Sequence, residues 1–204
     1  IDIARDALGV STHLIPATDS NPYLLLEQEG KIIRGVHEIA TREIDNKPNL
    51  KLTPNSKISD LAASTINESD LIVIAPGHFY CSIMPALLVD GMIESIKSSD
   101  ARVVFICNLT SSSLQNKNFG VLDYISEIER LLGSDFIDFA LFNTGRIPSE
   151  RLKENESQVP VEFDQSQVSN YKFIGEDILD GEEAQPNPND KIADIRSRFR
   201  HDKV

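Results

Sequence analysis

Three short stretches of this 204-residue chain gather the side chains that ligand chemistry needs. The first, Pro76-Gly77-His78-Phe79-Tyr80-Cys81-Ser82, sets a glycine beside an imidazole, a phenol and a hydroxyl. Gly77 lets backbone approach a ligand closely, and the free amides that open a following helix favour an anion. Tyr80 and Ser82 supply hydroxyls, and His78 a charge that switches near neutral pH. The second, Asn108-Leu109-Thr110-Ser111-Ser112-Ser113, offers an amide and a row of hydroxyls that begins at Thr110. The third, Asn143-Thr144-Gly145-Arg146, presents Asn143, Thr144 and Arg146 to a phosphate or a sugar. Taken singly, the first also fits a plain strand-to-helix turn and the second a flexible polar loop.

Other chemistries leave no trace. The chain has no P-loop, no G-x-G-x-x-G, no G-x-S-x-G and no H-E-x-x-H. His13, His37, His78 and His201 are scattered without the spacing of a zinc site. Cys81 and Cys107 form no C-x-x-C pair and read as buried thiols of a reducing compartment.

The three stretches follow apolar runs that read as strands. Residues 70–75 (DLIVIA), 102–107 (RVVFIC) and 136–143 (FIDFALFN) have the length and composition of parallel strands buried on both faces. Between them, Met84, Leu87, Leu88, Met92 and Ile96 recur at helical spacing, and VLDYISEIERLLG is amphipathic with Gly133 as its stop. The pattern is βαβαβ, which predicts a Rossmann-like, three-layer α/β fold around a parallel sheet. In such sheets ligands bind beyond the carboxyl ends of the strands, so all three stretches are expected on one edge. Asp19, closing Pro16-Ala17-Thr18-Asp19, is expected to face that edge too.

Upstream, PYLLLEQEGKIIRGVHEI reads as a β-hairpin insertion, LKLTP as a strand and ISDLAASTINES as a helix. Downstream, residues 148–155 read as a helix, VPVEFD and YKFIGEDIL as strands, 181–190 as a solvated loop and KIADIRSRFRHD as a terminal helix. The first ten residues read as a helix already under way, so the sequence is expected to begin inside a longer protein, as a single α/β domain.

Composition limits the partners. With 32 acids against 20 bases the net charge is −12, which argues against nucleic acid and anionic membrane surfaces. A small phosphorylated ligand remains compatible, because backbone amides and one or two arginines suffice locally. No apolar run approaches the ~20 residues of a membrane span, and the start is no signal peptide, so the cytoplasm is expected.

At these loops the sequence resembles a known family. DLIVIAPGHFYCSIMPALLVDGMIESIKSSDARVVFICNL (70–109) is similar to the central block of the CofD-like proteins. Pro76, Gly77, Tyr80, Ser82, Pro85, Cys107, Asn108 and Leu109 match its pattern, and Arg200-His201 matches its terminal pair. HLIPATD, FNTGRIPSERL and the proline-valine of VPVEFD agree in order. The resemblance implies a Rossmann-like fold and one of two activities. One branch holds the magnesium-dependent 2-phospho-L-lactate transferases of deazaflavin-coenzyme biosynthesis, which release GMP. The other holds the YvcK-like gluconeogenesis factors, tied to carbon metabolism and cell-envelope growth and shape, which bind UDP-sugars. The long P-G-x-x-Y-x-S-x-x-P block looks more like the second.

That resemblance implies a binding regulator without turnover, with Tyr80 and Asn108 on base or sugar and Gly77 and Ser82 near phosphate. It requires no cofactor here; magnesium enters only on the transferase reading, and a homodimer is compatible with either. The chain departs from the pattern at Ala75, His78, Cys81 and Ala86, and TSSSLQNKN (110–118) replaces M-T-Q-P-G-E-T-D-G. The family's G-G-G-T-G and D-D-G-G segments, its expected phosphate and metal ligands, are absent from the sequence. Half a pocket is therefore expected, and an interaction module that has lost its ligand stays open as a third reading.

Overall fold

The computed structural model describes residue 9 and residues 12–44, 47–133, 135–153, 155–166, 171–182 and 197–202. Strands β1 (Tyr23–Gln28) and β2 (Lys31–Arg34) form the expected hairpin. Glu29 and Gly30 turn it with φ of 51° and 73°, the left-handed pair that matches the twist of two-residue hairpins. Beyond Gly35 the chain does not stay extended but enters a short helix, α1 (Val36–Ala40). Strand β3 (Asn49–Thr53) pairs antiparallel with β1, giving the order β2-β1-β3.

Helix α2 (Asp60–Asn67) starts at Ser59, whose hydroxyl accepts from the Ala62 amide at 3.3 Å and donates to Pro16 O at 2.8 Å. That cap fixes the helix start and pins the 13–20 segment to it. The parallel sheet then forms from β4 (Leu71–Ile74), β5 (Arg102–Ile106), β7 (Phe139–Asn143) and β9 (Lys172–Glu176), in that spatial order. It is the predicted fold class, with a fourth strand added at one edge.

Several expectations are corrected. The single helix expected from Ser82 to Ile96 is three pieces: a π-helical turn (Phe79–Ile83), α3 (Met84–Leu87) and α4 (Met92–Ser98). Gly91, at φ 88°, breaks it, and Asp90 bridges to Lys57 instead. Strand β4 is not buried on both faces: Leu71 is 55% and Val73 47% exposed, and among the described residues β4 pairs with β5 alone. The polar stretch after β5 is no flexible loop. It forms β6 (Thr110–Ser112), paired antiparallel with β8 (Gln158–Pro160), and buries Thr110 and Ser111. The described part of the expected terminal helix, 197–202, is not helical; His201 bridges antiparallel to Leu179. The expected helix at 1–10 lies outside the described residues apart from Gly9, as do most of the expected loop at 181–190 and the terminal segment before 197.

Helix α5 (Val121–Leu132) is as predicted, closed by Gly133 at φ 64°, and α6 (Ser149–Lys153) follows β7. Val121, Tyr124, Ile125 and Ile128 of α5 share one buried cluster with Leu24 and Leu26 of β1 and with Phe105 and Ala140 of the parallel sheet. The two larger sheets thus share a core. Phe79 stacks edge-on to Tyr80 and Tyr124, at 4.9 and 5.0 Å between ring centres, so the turn after β4 is bound to α5 by aromatic contact. No helix among the described residues is long and apolar enough to cross a membrane.

Candidate functional site

Neighbouring parallel strands end side by side, and here the ends of β4 and β5 open onto a cavity of about 570 Å³. Its wall comes from four segments: the 76–82 turn, residues 108–116, Gln158 of β8 and residues 197–201. Pro76, Gly77, His78, Ser82, Asn108, Thr110, Arg200 and His201, all expected from sequence, line it.

Asn108 locks the first two segments together. Its Nδ2 donates to Gly77 O at 2.8 Å, and the Gly77 amide donates back to Asn108 Oδ1 at 3.2 Å. A Cβ at Gly77 would make only ordinary contacts, 3.6 Å from Ile83 and Ser82, so the fold alone does not demand glycine there. Ser82 stays exposed and keeps its hydroxyl at the cavity.

The terminal segment closes the far side. Phe199 is 3% exposed against Leu109 and Ile147, and His201 Nε2 lies 3.2 Å from Cys107 O. Asp180 N–H donates to Arg200 O and Asp202 N–H to Ile178 O, each at 2.9 Å. Thr110 Oγ1 donates to Gln158 Oε1 at 2.7 Å and lies 3.2 Å from Ser197 Oγ, so β6, β8 and the terminal segment meet at one hydroxyl. Arg200 reaches the cavity from this segment with an exposed side chain, its Nη1 donating to Phe199 O at 3.0 Å.

Burial sets the charge states. Desolvation holds His78 below its ordinary value, and it does the same to His201 against the raising effect of its contact with Cys107 O. Burial pushes the Cys81 thiol up to about 11 and that of Cys107 higher still. Both thiols are inert by this measure. The lining residues include no Asp or Glu. Among the described residues, then, no acid lines this cavity, although the chain's net charge is −12.

The remaining expected residues lie elsewhere. Tyr80 is fully buried behind the turn, where its hydroxyl donates to Glu127 Oε1 at 3.1 Å. Glu127 in turn receives Arg130 Nε at 2.6 Å and Nη2 at 2.7 Å. Burial, then the Glu127 charge, holds the Tyr80 phenol far above its ordinary range. Tyr80 is therefore a core residue that anchors the turn, in place of the base or sugar contact expected of it. Asn143, Thr144 and Arg146 sit one strand away, after β7, and do not line the cavity. Asn143 spends its amide on its own turn: Nδ2 donates to Gly145 O at 2.7 Å, and Gly145 and Ile178 amides donate to Oδ1 at 3.1 Å each. Asp19 is exposed and also outside the cavity.

Sequence reasoning reached Ser112 only as part of the hydroxyl row, and it missed Gln115, Asn116, Gln158, Ser197 and Phe199 in the wall. Ser112, Gln115 and Asn116 fall in the 110–118 run where the chain departs from the family pattern, which was the available signal. Nothing marked Gln158, because its place follows from pairing of β8 with β6. Among the described residues no group of three or more His, Cys, Asp and Glu gathers as metal ligands. The described residues of the wall include no carboxylate, so by themselves they do not supply the ligands of a magnesium site.

A profile of the family described as 2-phospho-L-lactate transferase CofD matches residues 1–179. The gluconeogenesis factor of Listeria innocua is 32% identical over 95% of this chain and 61% of its own length. That of Bacillus subtilis is 32% identical over 84% of this chain and 54% of its own. The chain thus spans little more than half the length of these relatives. A crystal structure of a Bacillus halodurans member of the UPF0052 family superposes with a TM-score of 0.79 at 27% identity, covering 87% of this chain and 59% of that one. Fold, motif block and profile agree, and the chain belongs to the CofD family.

Proposed function

We propose that the cavity at the ends of β4 and β5 binds a nucleotide sugar of the UDP type, and that the protein acts as a binding regulator of the gluconeogenesis-factor kind, without turnover. The observation that carries this reading is the wall itself: amides, hydroxyls and the Arg200 guanidinium, with no carboxylate among its described residues, in a strongly acidic chain. Such a surface favours an anion where the rest of the molecule repels one. A volume of about 570 Å³ lies within the usual range for small-molecule sites. In this reading Gly77 and Ser82 face phosphate, Asn108 fixes the two loops, and Arg200 supplies charge from the terminal segment. The regulator would act in the cytoplasm, linking carbon metabolism to envelope growth and cell shape as the family resemblance implies; the name of the relatives, gluconeogenesis factor, supports the metabolic part of that reading. The description of the matched family profile favours a second reading, a phospholactyl-type transferase.

Thermal unfolding of the full-length protein separates the two. At ~100-fold over the dissociation constant, UDP-N-acetylglucosamine should stabilise by about 2.7 kcal/mol, a melting shift of roughly 5–10 °C. A shift with GDP and magnesium, and none with the UDP-sugar, would replace the regulator by the transferase. No shift with either would mean the altered loops have abandoned nucleotides.

A further inference from the structure

Among the described residues, Glu127 is the one charged side chain that is buried, at 5% exposure. It belongs to α5 and lies outside the cavity wall. Its Oε1 accepts the Tyr80 hydroxyl at 3.1 Å and Arg130 Nη2 at 2.7 Å, and its Oε2 accepts Arg130 Nε at 2.6 Å. Arg130 Nη2 also donates to Pro48 O, just before β3, at 2.7 Å. A buried ion pair is a poor source of stability, since desolvation offsets the attraction and well-packed apolar residues often do as well. What such a pair can supply is fixed geometry.

The geometry in question is that of the turn after β4. Phe79–Ile83 is a π-helical turn, in which Ile83 N–H donates to His78 O at 3.3 Å and Met84 N–H to Phe79 O. Such wide turns are rare and recur at functional sites. Phe79 and Ser82 line the cavity from this turn, while Tyr80, Cys81 and Ile83 are buried. Edge-on contacts of Phe79 with Tyr80 and Tyr124 hold the turn against α5, but aromatic packing is only weakly directional. The bond from Tyr80 to Glu127 is directional.

We propose that Glu127 is a positioning residue of the cavity: with Arg130 it holds the Tyr80 hydroxyl, and through Tyr80 it sets where His78 and Ser82 stand in the wall. The carboxylate is itself tied down, on α5 through Arg130 and from there on Pro48 O, so the turn is referenced to the shared core. A turn released from this anchor visits other arrangements, and apparent affinity falls with the fraction of molecules that stays competent. The effect on affinity rests on the nucleotide-sugar reading, whereas the hold on the turn does not.

The test is calorimetric titration of UDP-N-acetylglucosamine into the full-length protein and into its Tyr80→Phe, Glu127→Leu and doubly substituted variants. Each single change should weaken binding roughly 10-fold, the equivalent of one hydrogen bond to a charged group. Glu127→Leu also strands the buried Tyr80 hydroxyl, so its denaturant midpoint should fall. In the double variant both partners are apolar and Arg130 stays exposed, so stability should return while the affinity remains lost. Affinity that recovers together with stability would make the pair merely structural and overturn the proposal, as would full affinity in Tyr80→Phe. Amide exchange reads the same turn without ligand. In Tyr80→Phe the Ser82 and Met84 amides should exchange roughly 10-fold faster, with the Tyr124 amide of α5 unchanged. Unchanged exchange at Ser82 and Met84 overturns the positioning role. Failure of the unmodified protein to bind overturns the nucleotide-sugar reading instead, and the exchange result still decides the role of Glu127.

Discussion

Asn108 and Asn143 hold equivalent places at the ends of neighbouring parallel strands, yet they do different work. Asn108 reaches sideways to Gly77 and ties the loop after β5 to the loop after β4, across the mouth of the cavity. Asn143 closes its own turn on Gly145 and collects Ile178 from the segment after β9. Both read as polar loop residues suited to a ligand. An asparagine at a strand end is first a staple for backbone groups that the sheet no longer satisfies. Whether it also shapes a binding site depends on which loop it is stapled to.

Replacing the two staples gives the largest contrast. Asn143→Ala strands three backbone partners and should lower unfolding stability by about 3 kcal/mol, read by denaturant unfolding, with ligand affinity unchanged in whatever protein still folds. Asn108→Ala strands two, and should lower stability by about 2 kcal/mol while weakening UDP-sugar binding about tenfold. Equal affinity losses in both variants would break the comparison.

The neighbouring glycines sharpen it. A Cβ at Gly145 would lie 1.9 Å from Asp177 Oδ1, so Gly145→Ala must swing Asp177 away from the Leu179 amide, at a cost of about 1 kcal/mol in stability. Gly77→Ala meets nothing closer than 3.6 Å and should leave stability within about 0.5 kcal/mol. Its effect should appear in titration, as an affinity loss from the methyl group standing where phosphate approaches. A Gly77→Ala protein that binds as well as the parent would remove Gly77 from the site.

A further contrast is in pH dependence, and it belongs to the cavity side. His78 and His201 both sit below the ordinary value of 6.5 because burial disfavours the cation. The unfolded chain therefore takes up protons first as pH falls. The stability these histidines permit is fully present above pH 6.5 and is lost as pH drops below it toward their depressed values. The slope is at most about 1.4 kcal/mol per pH unit for each group. Melting temperatures between pH 7 and pH 5 should fall, and His201→Gln should fall less steeply. A profile that is unchanged in that variant would show that His201 carries no part of the effect.

Much of this was legible beforehand. The apolar runs at 70–75, 102–107 and 136–143 hold the neighbouring parallel strands β4, β5 and β7, and the motif block placed Pro76, Gly77, Ser82 and Asn108 at one cavity. Arg200 and His201 were legible only through the family resemblance, since their segment arrives from the far end of the chain. Tyr80 was misread because a phenol beside a glycine turn looks like a ligand contact, and only packing against α5 and Glu127 makes it core. The hydroxyl row beginning at Thr110 looked flexible because polarity was visible and the β8 partner was not.

The division has a physical cause. Hydrophobic periodicity, strand length and turn residues act over a few neighbours, so the sequence by itself determined the fold class, the hairpin with its Glu29-Gly30 turn and the helix ended by Gly133. The site depends on contacts between residues far apart in the chain: Asn108 with Gly77, Thr110 with Gln158 and Ser197, and Gln115 with Ile39. Those pairings carry no local signature, because either member would look the same in a loop that met something else. Only the tertiary structure, by ordering the strands and folding the terminal segment back over β5, decided which polar residues line the cavity.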